Sequence, residues 1–372
     1  MSLLELPSTR NEAWRWSDLA ALPTLATARR GTAPELPLLD CGEGPVLVFV
    51  DGVLDDSRSR LGPVAMGAVA AEDHPLARHV PGEGWTLQLG RDHAPAGLVQ
   101  VVHLSTGAAD HLPASIRLDT DAQASVVETY AGAGWTNRLT RIDLAKGARL
   151  MLARRLIGAS GFVSLTDRAV VGEGGSLVVT SLAAGGADSR FDAAVTIVGE
   201  AGFAEVGGAL LARGRQRHDA NLALRHEARS GMSRQLWRAV ADGEAVCSVA
   251  ARVEVARPAQ KTDGEQSLKG LLLARGATVN LKPELEIFAD DVKCAHGATV
   301  GALDRNALFY LQSRGVPTDE ARALLVQAFV ADALARIGEQ AVRDAFEADA
   351  MNWLSPSPLT GEGGTHADGV GG

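Results

Sequence analysis

The chain has 372 residues and a formal net charge of −9, from 36 Lys and Arg against 45 Asp and Glu. Without a long basic cluster, that balance argues against nucleic acid as the main partner, because neutralised phosphates supply most of such affinity. Apolar residues make up 46% of the chain but include only 8 Phe, 6 Trp and 2 Tyr, so the expected core is aliphatic, and 41 Gly with 15 Pro suit many short elements joined by tight turns.

Thr9-Arg10-Asn11-Glu12 has capping-box form and is followed by Trp14, Leu19 and Leu22, which predicts a short helix over residues 10–22, stopped by Pro23. Residues 1–95 read as an N-terminal α/β cap: from Gly31 to Pro95, Pro, Gly and Asp alternate with brief apolar pieces such as Val46-Leu47-Val48-Phe49-Val50. That run is far too short to span a bilayer, and Met1 to Pro7 lacks a basic, apolar export signal. Neither export nor a membrane is expected. Cys41, Cys247 and Cys294 are odd in number, far apart and free of Cys-x-x-Cys spacing, which disfavours a disulfide framework or a tetrathiolate zinc site and points to a reducing, cytoplasmic setting.

Over residues 96–301 the pattern changes to short β-branched or apolar strands, such as Leu98 to Leu104, Gln123 to Tyr130 and Leu177 to Leu182. One turn chemistry recurs at Asp121-Ala122-Gln123, Lys146-Gly147-Ala148, Glu173-Gly174-Gly175, Ala201-Gly202-Phe203 and Ser230-Gly231-Met232. Its central positions, 122, 147, 174, 202 and 231, are close to evenly spaced, with a slow upward drift. Asp242-Gly243, Arg275-Gly276 and His296-Gly297 continue it less regularly. The spacing falls inside the period of repeat architectures and predicts a solenoid, in which each rung buries its apolar face only by stacking on the next. A parallel β-helix is the expected fold class, its narrow interior favouring Val, Leu, Ile and Ala over rings. A β-sandwich with Gly turns is the alternative.

Residues 302–354 return to helical periodicity. Asp304 can cap a short helix through Leu308, Phe309, Tyr310 and Leu311, broken at Ser313-Arg314-Gly315. A longer helix from Asp319 carries Ala321, Leu324, Leu325, Ala328, Phe329, Ala331 and Leu334 as its apolar stripe, and another from Glu339 carries Val342, Phe346, Met351 and Leu354. The stripe can pack on the solenoid or dock a partner. Ser355-Pro356-Ser357-Pro358 ends the last helix, and the Gly-rich tail, residues 355–372, is expected to be disordered.

Chemical motifs are few. There is no phosphate-binding G-x-x-x-x-G-K-[ST] loop, no dinucleotide fingerprint, no nucleophile elbow and no His-Glu-x-x-His helix, so no nucleotide is expected on this chain. His74, His79, His218 and His226 fit no common metal spacing and read as surface or loop residues. One segment stands apart: Asp290-Asp291-Val292-Lys293-Cys294-Ala295-His296-Gly297. On a strand, Cys294 and His296 share a face with Val292, while Lys293 lies opposite. A thiolate and an imidazole are good ligands for iron or zinc, but two ligands do not close a site and an iron–sulfur cluster needs four. The rest would come from another chain. A buried Cys294 and a hydrogen-bonded His296 are the purely structural alternative.

The stretch Lys282-Pro283-Glu284-Leu285-Glu286-Ile287-Phe288-Ala289 running on through Asp290 to Gly301, with Leu308-Phe309-Tyr310-Leu311 and Ser313-Arg314-Gly315, closely resembles the SufB/SufD family, scaffold subunits of the SUF iron–sulfur cluster assembly machinery. Ala259-Gln260-Lys261-Thr262-Asp263, Leu271-Leu272-Leu273 and Trp14-Arg15-Trp16-Ser17-Asp18-Leu19 add to the likeness. Cys294-Ala295-His296-Gly297-Ala298-Thr299 is more similar to the SufD branch than to the SufB branch, and Cys247 in its strand departs from the family pattern.

The resemblance implies a right-handed parallel β-helix between helical ends, a SufB-like partner aligned along it and a SufC-like ATPase on the C-terminal helices, with sulfur arriving indirectly. It implies that a transient cluster forms near His296, with Cys294 the weaker candidate, and that the chain is a scaffold and no enzyme. Leu308, Phe309, Tyr310, Arg314, Leu324, Leu325 and Phe329 are the candidate docking residues. A β-helical carbohydrate-active enzyme would need an export signal and aromatic sugar platforms. A stand-alone metal protein using Cys294 and His296 is the other competitor.

Overall fold

The computed structural model describes residues 4–354; the tail over 355–372, expected to be disordered, lies outside the described residues. The chain is mainly β and winds into a parallel β-solenoid of about eight turns with helices at its C-terminal end. Strands β1 (Val46–Val50), β2 (Val53–Leu54), β3 (Val64–Ala68) and β4 (Glu83–Leu89) come first. Two long strands follow, β5 (Val99–Leu118) and β6 (Gln123–Leu144), each bending round a corner so that its halves serve different faces. The first half of β5 pairs in parallel with β1 and its second half with β4. Gly132 lies in the bend of β6 with φ of 98°, and a Cβ there would sit 1.9 Å from the Ser105 carbonyl oxygen. Only glycine fits.

From β6 onward two ladders alternate. One face stacks β6 on β7 (Arg149–Leu156), β9 (Ser176–Ala183), β11 (Phe203–Ala212), β13 (Met232–Ala241), β15 (Asp263–Leu272) and β17 (Lys293–Ala302). The other stacks it on β8 (Phe162–Val171), β10 (Asp188–Ile197), β12 (Arg217–His226), β14 (Val246–Val255) and β16 (Thr278–Ile287). Arg149 pairs with Ser176 and Ser176 with Phe203, an equal step along the chain each time, while Met232 pairs with Asp263 across a slightly longer rung. Parallel pairing at this period decides for the solenoid over the sandwich.

The repeated turn has a backbone cause. Asp121, Gly147, Gly174, Ala201, Ser230 and Lys261 all adopt left-handed φ between 53° and 67°. Their N–H groups donate in turn to the carbonyls of Lys146, Glu173, Glu200, Arg229, Gln260 and Asp291, so each turn is hydrogen-bonded to the next rung. The sequence expectation placed the special position at 122, 202 and 231; it is one residue earlier in each. Four of the six are not glycine, because the rung-to-rung bond holds a conformation that an L-residue alone disfavours. Gly243 turns at a different corner, and His296-Gly297 lies inside β17, so neither extends this series.

The interior departs from a purely aliphatic expectation. Trp237 and Phe191 pack inside the middle rungs. In the first full rungs Arg154, fully buried, donates to Glu128 (2.5 Å), to both oxygens of Asp167 (2.5 and 2.9 Å) and to Thr140 (3.1 Å). Arg138 is ion-paired with Asp110 beside it, and His103 stacks on Tyr130 at 4.7 Å. Buried charge on this scale is tolerable only when paired. Arg154 holds the Glu128 carboxyl at about 2 despite the opposing effect of burial.

The N-terminal segment lies across the outer side of the β8–β10–β12 face. The predicted helix over residues 10–22 does not form: a 3-10 turn spans Glu12–Trp14 and one α-helical turn, α1, spans Leu22–Leu25. Pro23 stands in the first turn of α1, where its missing N–H costs nothing, so it starts a helix. Trp14 is instead committed to Arg190, whose guanidinium lies 3.7 Å from the ring centroid and also bonds the Ala13 carbonyl and Asp192. His74 joins this cluster at 3.4 Å from Asp192. His74 lies in a loop as read but is buried, and His218 and His226 are buried within β12, contrary to their reading as surface or loop residues; each finds a polar partner, Asp192, Ser189 and Ser233 respectively.

At the other end come α2 (Arg305–Ser313), α3 (Thr318–Leu334) and α4 (Gln340–Leu354). Asp304 caps α2 as expected, accepting from the Asn306 and Ala307 N–H groups. The buried side of α3 is Ala321, Val326, Val330, Ala333 and Leu334, not the expected stripe, of which only Ala321 and Leu334 are buried. The difference is a rotation about the helix axis that turns Val326 and Val330, with Val342 and Phe346 of α4, onto Ala209, Leu211 and Val240 of the solenoid. Ion pairs of Arg155 with Asp349 (2.7 Å) and Arg336 with Glu205 (3.1 Å) pin these helices to the same face. Among the described residues no helix is long and apolar enough to cross a membrane.

Burial holds the rings of His103 and His218 at about 4, against about 6.5 in an unfolded chain. Between these values the unfolded chain binds protons that the folded one refuses, so stability present above about pH 6.5 is lost as the pH falls toward 4, by roughly 3 kcal/mol per ring. Calorimetry should show a falling unfolding midpoint across that window, shallower in His218→Gln; a flat profile contradicts the assignment.

Candidate functional site

The solenoid is left open at its C-terminal end. Among the described residues β16 pairs only with β14 and β17 only with β15, so both strands leave one edge without a ladder partner. Their side chains are exposed or half-buried throughout, and Ile287, Phe288 and Val300 are exposed. A Cβ at Gly297 or Gly301 would meet nothing within 4 Å. A long, uncovered edge of this kind is a template for pairing with another chain.

β17 brings the two sequence-predicted ligands to this end. Lys293 N–H donates to the Thr262 carbonyl (2.8 Å), and from there the strand runs in unbroken register with β15. Cys294 lies opposite Gly264, and His296 lies opposite Gln266. One rung further in, Gly264 lies opposite Ser233 and Gln266 opposite Gln235. Because Ser233, Gln235 and Gln266 are buried in the interior, unbroken register sets Cys294 and His296 on the lumen side of the last rung, sharing one face as their spacing predicts.

The thiol occupies room that a glycine leaves. A Cβ at Gly264 would lie 3.4 Å from Cys294 Sγ and 3.5 Å from Ser233 Oγ. Half-burial pushes the Cys294 thiol up, with a further contribution from Asp263, so the thiolate is disfavoured in the free chain. His296 is exposed. Ser233 Oγ is 2.9 Å from His226 Nε2, and burial lowers His226 to about 4, which keeps its ring neutral. Among the described residues no group of three or more His, Cys, Asp or Glu side chains is arranged to hold a metal ion. Cys294 and His296 are two donors at an open face.

The SufBD core domain of the SUF system for FeS cluster assembly matches residues 103–329, more than half of the chain and the whole of the two ladders. The chain belongs to the SufB/SufD family. Within it the chain is most like SufD. It is 29% identical over 254 residues to the iron–sulfur cluster assembly protein SufD of Escherichia coli, covering 65% of this chain and 60% of that relative. An iron–sulfur cluster assembly SufBD family protein of Synechocystis is 31% identical over 59% of this chain, which spans 51% of that relative's length. A SufBD family protein of Mycobacterium leprae is 26% identical over 91% of this chain and 88% of its own.

Of the candidate docking residues, Phe309, Tyr310, Arg314 and Leu324 are exposed on the C-terminal helices, while Leu308, Leu325 and Phe329 are only partly so. Phe309 is 72% exposed, Tyr310 is 54% exposed with the Arg314 guanidinium 4.5 Å from its ring centre, and Leu324 is exposed on α3. Leu308 and Leu325 are half-buried, and Phe329 packs at the margin of the apolar layer beneath α3. Sequence reasoning missed Gln235 and Gln266. Their signal was available only as register: Gln235, Gln266 and His296 occupy the same place on three successive rungs of one ladder.

The three thiols should differ in reactivity, since only thiolates are nucleophilic. Burial raises Cys247 most, and raises Cys41 and Cys294 less. In native protein at pH 8, peptide mapping after iodoacetamide should find Cys41 and Cys294 modified slowly and Cys247 only after denaturation. Cys294 reacting as fast as a small free thiol would contradict its lumen-facing position.

Proposed function

We propose that this chain is a cytoplasmic scaffold subunit of the SUF system, without catalytic activity of its own, that shares a transient iron–sulfur cluster with a SufB-like subunit. The observation that carries the reading is the open terminal rung: two soft or borderline donors, His296 and Cys294, stand on an unpaired sheet edge with no third ligand beside them among the described residues. A cluster needs four protein donors. A second subunit whose own edge strands pair with β16 and β17 supplies the missing ones and satisfies the unpaired backbone at once. His296 is the primary donor, and Cys294, whose thiolate partial burial disfavours, joins when iron stabilises that thiolate.

The cluster is cargo: sulfur reaches it indirectly through the partner, and no nucleotide binds this chain. A SufC-like ATPase docks on the outer side of α2 and α3. Phe309, Tyr310 and Leu324 present apolar surface there, whereas Val326, Val330 and Leu334 are spent on the solenoid. That division separates docking residues from packing residues on the same helices.

His296→Ala should leave folding and co-purification with the SufB-like subunit intact while abolishing iron and acid-labile sulfide on the anaerobically co-expressed complex. Unchanged cluster content removes His296 from the site, and stoichiometric iron on the chain purified alone would favour a stand-alone metal protein. Phe309→Glu combined with Leu324→Glu should eliminate ATPase co-purification while changing stability by no more than about 0.5 kcal/mol. Retained binding would place the ATPase elsewhere.

A further inference from the structure

Behind the last rung stands a polar group whose hydrogen bonding is unfinished. Gln266 is 1% exposed and spans the lumen, its Nε2 donating to Gln235 Oε1 (2.6 Å) and to the Ala251 carbonyl (2.8 Å). Its carbonyl oxygen, Oε1, is buried and has no partner. Exchanging the two ends of the amide would aim that oxygen at the Ala251 carbonyl, an acceptor that cannot donate, so the orientation is fixed. A buried acceptor left bare costs about 1–3 kcal/mol. With both donor hydrogens turned toward β13 and β14, the oxygen is the one polar atom of the amide without a partner.

The residue in register on the rung that follows is His296, one strand spacing of about 4.8 Å away on the same side of the sheet. A neutral imidazole has one N–H to give and one lone pair to offer metal, and whichever nitrogen donates determines which one is free. We propose that Gln266 is the positioning residue for His296: its Oε1 accepts the imidazole N–H of a single tautomer and holds the other ring nitrogen toward the partner's side of the open rung. This rests on the reading of His296 as a cluster ligand. Without it the exposed ring samples both tautomers and several rotamers, and outer partners of ligating histidines are typically worth roughly 10–100-fold in metal affinity.

The test begins on the free chain labelled with 15N-histidine, reading long-range proton–nitrogen correlations of the His296 ring at pH 8. One tautomer is expected in the unaltered chain, a mixture in Gln266→Met, and one tautomer again in Gln266→Glu, which keeps an acceptor. Cluster content of the co-expressed complex should fall about 10-fold in Gln266→Met and recover in Gln266→Glu. A mixture already present in the unaltered chain overturns the proposal without any variant having to fold. Cluster lost in His296→Ala with tautomers indifferent to Gln266 overturns the positioning role and spares the ligand. Tautomers governed by Gln266 with cluster indifferent to His296 overturn the ligand reading, and with it the functional role proposed for Gln266.

Discussion

Everything in this molecule depends on each rung hydrogen-bonding the next, through the parallel ladders of its two faces and through the column of left-handed turns from Asp121 to Lys261. The ladders fix the register, and the turn column fixes where each rung begins. A stack held this way has no natural end, so the termini decide what the protein can do. The first turns are closed by β1 to β4, and among the described residues the last is left unpaired along β16 and β17. Stability of the solenoid and availability of its edge are therefore two consequences of one bonding pattern.

Lateral surfaces are managed differently from the ends. The N-terminal segment covers one face through a compact polar cluster, in which Arg190 engages Trp14, Ser17 and Asp192 together. The C-terminal helices cover the other with an apolar layer reinforced by ion pairs. Inside, charge is concentrated in the early rungs around Arg154, rings fill the middle, and amides and hydroxyls return toward the open end at Ser233, Gln235 and Gln266. Those amides and the hydroxyl share the last rungs with apolar side chains such as Leu268, Leu281 and Leu285.

Much of this was legible in the sequence, because a solenoid writes its period into the chain. Glycines at 147 and 174 marked the turn, and alternation placed Cys294 and His296 on one face. Asp121, Ala201 and Ser230 hid the turn position itself, since the bond that enforces left-handed backbone there comes from the neighbouring rung, a full repeat further along. Arg154, Glu128 and Asp167 could not be read as interior, because their burial depends on mutual pairing that no single residue announces. The helix expected over residues 10–22 failed for a similar reason: Trp14 and Ser17 are used by Arg190, which lies several rungs into the solenoid. Gln266 could be found only once the register was known.

The junction between β17 and α2 has mechanical meaning. Only Leu303 and Asp304 separate the last strand from α2, which has no buried residue of its own, whereas α3 and α4 are anchored to the solenoid wall. Helix α2 is thus joined at its start to the strand that carries His296 and rests along α3, one of the anchored pair. A group seated at Phe309 or Tyr310 is thereby tied to the terminal rung through a two-residue link and to the solenoid wall through the packing of α2 on α3.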